Sequence, residues 1–272
     1  TPITAFLSVG SKSAGVFLFI KVLQPFLLVP SIHGKILCIL TLIAAATLLF
    51  GNLVATTQDN LKRLLAYSSI GHAGYLLVAI ASMRATPSFF GPVQSTIDFY
   101  LFGYLLMTLL SFLVLSIVCA HSRTEEIQAF NGLSKRSPFL AFSLLVAMAS
   151  LAGVPFTVGF YGKFLVFVQA IQAKQYFLVG IGIITVVAGF YYYFKVVAAM
   201  WWNEPASTTP ITVPITSKIA IVVLVIGIFA FGIPQSKPLL SLTSEVPSSE
   251  KAAPAFRAHQ LNPAQPTAAT EL

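Results

Sequence analysis

The stretch GVPFTVGFYGKF, residues 153–164, places a proline, three glycines and a lysine inside an otherwise apolar part of the chain. The apolar element that contains it runs from Pro138 to Ile171. As one straight helix this element would be about 50 Å long, whereas the hydrocarbon core of a bilayer is about 30 Å thick. Proline removes a backbone hydrogen bond and glycine tolerates irregular angles, so the sequence predicts a break at Pro155, between Gly153 and Gly159.

A helix broken at membrane depth frees backbone groups that need new partners. Such breaks are tolerated where they face other protein or a water-filled cavity. The sequence therefore predicts a hydrated site at this break, close to Lys163.

The surrounding composition is that of a membrane protein. Hydrophobic residues make up 57% of the 272-residue chain and charged residues only 9%, against roughly 25% charged residues in soluble domains. The apolar runs are continuous rather than alternating, which favours helices over a transmembrane barrel. We predict an all-α polytopic membrane protein with about seven transmembrane helices, one of them discontinuous. The predicted spans are Ile3–Leu23, Ile36–Thr57, Leu64–Met83, Phe99–Ala120, Pro138–Ile171, Tyr176–Trp202 and Ile215–Ile233.

The basic residues are scattered through the joints between these spans. A formal charge of +8 is thus better explained by membrane topology than by nucleic-acid binding, which requires clustered cations. The bias places the joints that contain Lys62, Lys135 and Lys218 in the cytoplasm. Residues 1–233 are predicted to form the membrane domain, and residues 234–272, rich in Pro, Ala, Ser and Thr, a disordered tail on the outer side.

Two lysines fall inside predicted spans and are candidates for proton transfer. Lys163 follows the break, and Lys12 lies within SVGSKSAG, midway along the first span. A charged residue at the bilayer centre costs about 2.5–3.5 kcal/mol on insertion scales, so such residues usually face a bundle interior and mark an ion path. For Lys163 the alternative is that it caps the carbonyls freed by the break. For Lys12 the alternative is that the first span starts at Ser13, which would put Lys12 at the membrane surface and Lys21 inside the span.

Other candidates are weaker. His72, in YSSIGHAGYLL, has a side chain suited to proton transfer, but a lone histidine among apolar neighbours is more often a packing residue. Lys62 lies in a charged joint that is typical of a membrane boundary. Tyr191, Tyr192 and Tyr193 are interpreted as core or interface aromatics.

Signatures of redox chemistry are absent from the sequence. It contains no glycine-rich phosphate loop after a strand and no haem or iron–sulfur motif. The two cysteines, Cys38 and Cys119, have no partners at metal-ligand spacing and are interpreted as core residues. All eight acidic residues are placed outside the spans or at their edges, so the sequence predicts that the buried lysines find partners in water, freed carbonyls or other chains.

Three motifs in order resemble those of a known family: TTQDNLKRLLAYSSIGHAGYLLVAI, SLAGVPFTVGFYGKFLVF and GFYYYFKVV. They are similar to the N-type subunit of bacterial respiratory complex I, the proton-translocating NADH:quinone oxidoreductase. That subunit belongs to the antiporter-like group, which also includes subunits of multisubunit sodium/proton antiporters. The resemblance covers roughly residues 1–233 and only the second half of the family's pattern.

The resemblance implies a fold built from two inverted repeats, each with a discontinuous helix, of which this chain supplies the second. It implies that Lys163 is a terminal proton-carrying lysine, that Lys12 is the central link of a hydrophilic axis and that Lys62 is the lysine of the joint motif. It also implies M-type and K-type subunits as neighbours, together with a missing N-terminal half of the same subunit. The expected location is a bacterial inner membrane, and NADH, flavin, iron–sulfur clusters and quinone are expected to be held by other subunits. The alternatives are a subunit of a sodium/proton antiporter and a structural membrane scaffold.

Overall fold

The chain folds as a helical bundle in the computed structural model, which describes residues 7–83, 87–205 and 209–233. Within these ranges there are eight α-helices of 15 residues or more, and no strand. A π-helical turn, Leu7–Ser11, precedes the first of them, and a 3₁₀ turn, Ile127–Phe130, and one α-helical turn, Leu133–Arg136, follow the fourth. The helices are α1 (Lys12–Leu27), α2 (Pro30–Thr56), α3 (Leu61–Ala81), α4 (Pro87–Ser122), α5 (Pro138–Ala152), α6 (Val158–Gln172), α7 (Tyr176–Trp202) and α8 (Ile215–Ala230).

The predicted fold class is confirmed. Four helices are long and apolar enough to cross a membrane, namely α2, α3, α4 from Gly91 onward, and α7. The shorter apolar helices α5, α6 and α8 complete the membrane-embedded part that the structure describes.

Several helix boundaries differ from the predicted ones. α1 continues through Pro25 to Leu27, α2 begins six residues before the predicted Ile36, at Pro30, and α4 begins at Pro87 instead of Phe99. Hydropathy detects only the apolar middle of a helix, whereas the backbone hydrogen bonds continue into more polar flanking residues. Proline is also well tolerated at the first helical position, as at Pro30, because its missing N–H has no helical partner there.

The predicted break in the long element is present. α5 ends at Ala152, and Gly153 adopts a left-handed conformation with φ of 95°, typical of a helix C-terminus. α6 then begins after Thr157, whose hydroxyl accepts a hydrogen bond from the backbone N–H of Phe160. Two half-length helices therefore replace one helix that would be too long for the bilayer.

Gly159 allows the two half-helices to come together. A Cβ atom at this position would lie 1.8 Å from the carbonyl oxygen of Ser150 in α5. The Gly159 N–H instead donates to the Ser150 hydroxyl at 3.3 Å. No residue with a side chain fits at position 159 without moving the backbone.

α3 is the central helix of the bundle. It packs closely on α2 through small residues, since a Cβ at Gly51 would lie 2.5 Å from the backbone nitrogen of Gly71. Close backbone approach through glycine is typical of membrane helix pairs. α3 also contacts α1, α4, α6 and α7, so its middle, where His72 lies, is enclosed by protein.

Ion pairs link the joints at one end of the bundle. We call this end the paired face and define it by three contacts: Lys62 with Glu125 at 2.8 Å, Lys135 with Glu204 at 3.0 Å, and Lys195 with Asp59 at 2.6 Å. Lys62 and Lys135, whose joints the sequence assigns to one side, thus lie at one end of the bundle. The cytoplasmic orientation of this end stays a prediction, and the predicted tail, residues 234–272, lies outside the described residues.

Candidate functional site

Lys163 lies in the bundle interior and caps the broken helix. Its side chain is 6% exposed, and its ammonium donates hydrogen bonds to the carbonyl oxygens of Leu151 and Ala152, both at 2.8 Å. These are the last two residues of α5, whose carbonyls have no helical partner. The C-terminal end of a helix also carries partial negative charge, which favours a cation there. The freed carbonyls anticipated from the sequence are therefore the partners that Lys163 has.

Gly153 makes room for this contact. A Cβ at Gly153 would meet the Lys163 side chain at 3.2 Å, and the left-handed backbone already disfavours other residues. The corner of the break, at Pro155 and Phe156, is exposed on the side of the bundle. Lys163 is buried whereas the corner is exposed, and a hydrated pocket at Lys163 stays a prediction.

Lys12 is the first residue of α1, directly after the π-helical turn, and the predicted start of its span, at Ile3, lies outside the described residues. π-helical turns are frequently found at functional sites. The half-buried side chain reaches α3, where its ammonium donates to the carbonyl oxygen and to the hydroxyl of Ser69, each at 2.7 Å. Lys21 is exposed, so of the two alternatives for the first span it is Lys12 that points inward.

His72 is enclosed, with 3% of its side chain exposed, and both ring nitrogens face tyrosine hydroxyls. Nδ1 lies 2.8 Å from the Tyr100 hydroxyl, and Nε2 lies 3.4 Å from the Tyr193 hydroxyl. Tyr193 in turn hydrogen-bonds Ser68. A histidine with polar partners on both sides can accept a proton at one nitrogen and release one at the other, and a role for His72 in proton transfer stays a prediction.

Aromatic rings connect the three candidates. The Lys12 ammonium lies 4.3 Å from the centre of the Tyr104 ring, and that ring lies 4.9 Å from the ring of His72. On the other side, the Lys163 ammonium lies 5.3 Å from the centre of the Tyr75 ring, which is 6.4 Å from both the His72 and Tyr100 rings. We call this set the buried row; in spatial order it comprises Lys12, Tyr104, His72, Tyr100, Tyr75 and Lys163.

Lys62 does not belong to the buried row. It lies at the start of α3, ten residues before His72, which corresponds to about 15 Å along the helix. There it pairs with Glu125, and both side chains are about one-third exposed. The structure thus brings together three of the four candidate lysine and histidine residues and leaves Lys62 at the paired face.

The tyrosines of the row were not singled out from the sequence. Tyr100 and Tyr104 are four residues apart and therefore share one face of α4, and Tyr75 follows His72 by three residues on α3. Their spacing from each other and from His72 is the signal that could have found them. Of the three tyrosines in GFYYYFKVV, Tyr192 and Tyr193 are 2% exposed and Tyr191 is 64% exposed.

One acidic residue, Asp98, lies within a helix, because α4 begins at Pro87. Its position at the edge of a membrane span stays a prediction. The side chain is half-buried and accepts a hydrogen bond from Gln94, one turn earlier, at 2.8 Å. Asp98 makes no ion pair with a described residue, so the buried lysines still have no carboxylate partner among the residues that the structure describes.

Sequence comparison identifies the family of this chain. Residues 1–189 match the family model described as NADH:quinone oxidoreductase/Mrp antiporter, TM. The chain belongs to this family. Among its relatives is NADH-quinone oxidoreductase subunit N of Brevibacillus brevis, 39% identical over 85% of this chain and 46% of the relative. The resemblance drawn from the three motifs is therefore confirmed.

Solved structures of the same family share the fold. A chain of respiratory complex I from Thermus thermophilus with bound aureothin is 33% identical, with a TM-score of 0.63 over 74% of this chain and 44% of that one. A chain of the membrane-bound sulfane sulfur reductase, an archaeal respiratory membrane complex, is 25% identical, with a TM-score of 0.80 over 89% of this chain and 48% of that one. This antiporter-family chain spans about half the length of the relatives it matches.

Proposed function

We propose that this chain is part of an N-type subunit of NADH:quinone oxidoreductase and carries protons through the membrane along the buried row. What carries the proposal is the continuous placement of Lys12, His72 and Lys163 with tyrosines between them. None of the three has a carboxylate partner among the described residues. An amine that is held by neutral acceptors can lose its proton without leaving an unpaired carboxylate behind.

His72 is the central station in this proposal. A proton that reaches one ring nitrogen is balanced by release from the other, through the hydroxyls of Tyr100 and Tyr193. Lys12 and Lys163 lie at the two ends and gain or lose one proton each. The rings of Tyr75 and Tyr104 contact the lysines by their faces and do not hydrogen-bond to them. In this proposal, water molecules carry the proton between each lysine and the next hydrogen-bonding group of the row.

The break explains how Lys163 responds to its surroundings. Its ammonium is stabilised by the carbonyl end of α5, and a small movement of the half-helices would lengthen these contacts and favour the neutral amine. In the proposed complex, redox chemistry in other subunits supplies the energy for such a movement. Lys62 has no place in this path and holds the paired face together.

The setting of the proposal is a bacterial inner membrane. The paired face is assigned to the cytoplasm and residues 234–272 to the outer side. M-type and K-type subunits, and the half of the subunit that the relatives have and this chain does not cover, are the proposed neighbours. NADH, flavin, iron–sulfur clusters and quinone are assigned to other subunits of the complex.

The test is to replace Lys163 by methionine in the assembled complex that contains the full-length subunit. Methionine keeps the length of the side chain and removes its charge. We expect NADH-driven proton uptake into membrane vesicles to fall by about a hundredfold or more, a loss in the range seen for general acid–base groups. The matched control is Lys174→Met, because Lys174 is exposed just beyond the end of the same half-helix.

Two outcomes would contradict the proposal. Unchanged proton uptake in an assembled Lys163→Met complex would remove Lys163 from the path. Sodium transport without any dependence on NADH or quinone would instead favour the antiporter alternative. Normal assembly is established in each variant by the amount of subunit in the purified complex.

A further inference from the structure

The side-chain oxygen of Gln169, on α6, is buried without a hydrogen-bond partner among the described residues. Gln169 is 8% exposed, and its Oε1 accepts no hydrogen bond from any described residue. A buried donor or acceptor that stays unpaired destabilises the fold, and buried polar side-chain atoms nearly always have a protein or water partner. The protein around Gln169 does not supply that partner, so water is the simplest one.

The position of Gln169 relates it to the buried row. It follows Lys163 by six residues, which places it about 9 Å farther along α6. It follows Gly162 by seven residues, or two turns, and so lies on the same side of the helix as Gly162. A Cβ at Gly162 would meet the Tyr100 ring at 3.2 Å. Gln169 therefore lies along the side of α6 that packs on α4, beyond Tyr100.

Gln169 is also close to the membrane end of α6. The helix ends three residues later at Gln172, which is about 4.5 Å along the axis. α6 and α3 end near each other, because the side chain of Gln175 donates to the carbonyl oxygen of Ala81. This end lies away from the paired face, since α3 begins at the paired face with Lys62 and finishes here. Gln169 thus lies between the buried row and the opposite membrane face.

We propose that the Gln169 amide binds a buried water molecule that links the buried row to the membrane face at which α6 ends. A primary amide offers both an acceptor and donors, so it can hold one water from either side while remaining neutral. In this role the water accepts a proton that comes from the buried row and releases one toward the membrane face at which α6 ends. The proposal rests on the proton-carrying function argued above.

The functional experiment uses the assembled complex with the full-length subunit. Gln169→Leu removes the polar atoms and keeps the approximate size, whereas Gln169→Glu keeps an oxygen acceptor. We expect NADH-driven proton uptake to fall several-fold in Gln169→Leu and to recover at least half of that loss in Gln169→Glu. Gln172→Leu, the same substitution at the exposed end of the same helix, is the matched control and should behave as wild type.

A structural measurement decides the matter independently of transport. High-resolution cryo-electron microscopy of the wild-type complex should reveal an ordered water within about 3.2 Å of the Gln169 amide. The absence of that water, or wild-type proton uptake in Gln169→Leu, would overturn the inference. If Lys163→Met abolishes uptake while Gln169→Leu does not, only the inference is wrong. If neither substitution alters uptake, both the inference and the proposed function are wrong.

Discussion

The lysines of the buried row and those of the paired face differ in what neutralises them. Lys62, Lys135 and Lys195 each meet a carboxylate. Among the described residues, the hydrogen-bond partners of Lys12 and Lys163 are backbone carbonyls and one serine hydroxyl, and their other close polar neighbours are tyrosine ring faces. A carboxylate holds an ammonium in its charged form, whereas neutral acceptors permit either form. The same residue type therefore serves as a fixed structural charge at one end of the molecule and as an exchangeable charge in its interior.

The interior arrangement depends on the broken helix, and Gly159 is its most sensitive position. Gly159→Ala would place a methyl group 1.8 Å from the Ser150 carbonyl oxygen and would force the two half-helices apart. Lys163 would then lose its contacts with the end of α5. We expect the variant to fail in assembly or to lose nearly all proton uptake. The measurement is the amount of subunit in the purified complex.

Gly180→Ala is the control for this substitution. Gly180 lies in α7 with no atom within 4 Å of the position that a Cβ would take. The complex that contains Gly180→Ala should therefore assemble normally. Normal assembly and normal transport in Gly159→Ala would mean that the close contact between α5 and α6 is not required.

A carboxylate placed beside an interior lysine would make it resemble the paired face. Ser69→Asp would put such a group at the position that now accepts hydrogen bonds from Lys12. The ammonium form of Lys12 would then be favoured throughout the transport cycle. We expect proton uptake to fall by about a hundredfold, measured in vesicles with NADH as the electron donor.

Ser69→Asn separates charge from size in this experiment. Asparagine has nearly the same shape as aspartate and remains neutral, so it should retain most of the uptake. Equal losses in the two variants would show that the shape of the site, and not the charge state of Lys12, limits transport.

The helical class, the break and the two interior lysines could be predicted from the sequence, because each depends on local patterns. Pro155 and Gly153 act on their own backbone, and an ammonium such as Lys163 in an apolar run is costly wherever its neighbours lie. The tyrosines could not be assigned in this way. Whether Tyr191 or Tyr193 faces inward depends on how α7 is rotated against α3, which only the packing of the whole bundle determines.

The start of α4 could not be predicted either. Hydropathy predicts an apolar span from Phe99, and it does not detect that the helix begins twelve residues earlier, at Pro87. α4 packs on α5, α6 and α8, and these contacts cannot be assigned from local sequence patterns. Boundaries that depend on tertiary contacts are therefore the part of this fold that the sequence leaves undetermined.

The hydrogen bond between His72 and Tyr100 offers a finer test of the interior. Tyr100→Phe removes the hydroxyl that lies 2.8 Å from His72 Nδ1 and leaves the ring in place. We expect proton uptake to fall several-fold while assembly stays normal, because water can replace the hydroxyl only in part. Tyr161→Phe, whose ring packs on Phe99 outside the row, is the control. Wild-type uptake in Tyr100→Phe would place the path elsewhere around His72.

The smallest effect is expected at the paired face. Glu125→Gln leaves Lys62 without its carboxylate, but both side chains are about one-third exposed, so water can solvate the ammonium. Exposed ion pairs contribute roughly 0–1 kcal/mol to stability. We therefore expect a decrease of a few degrees at most in the melting temperature of the complex, and proton uptake close to wild type. A loss of uptake comparable to that of Lys163→Met would contradict the difference between the fixed charges of the paired face and the exchangeable charges of the buried row. It would require Lys62 to exchange protons and not merely to hold the joint between α2 and α3.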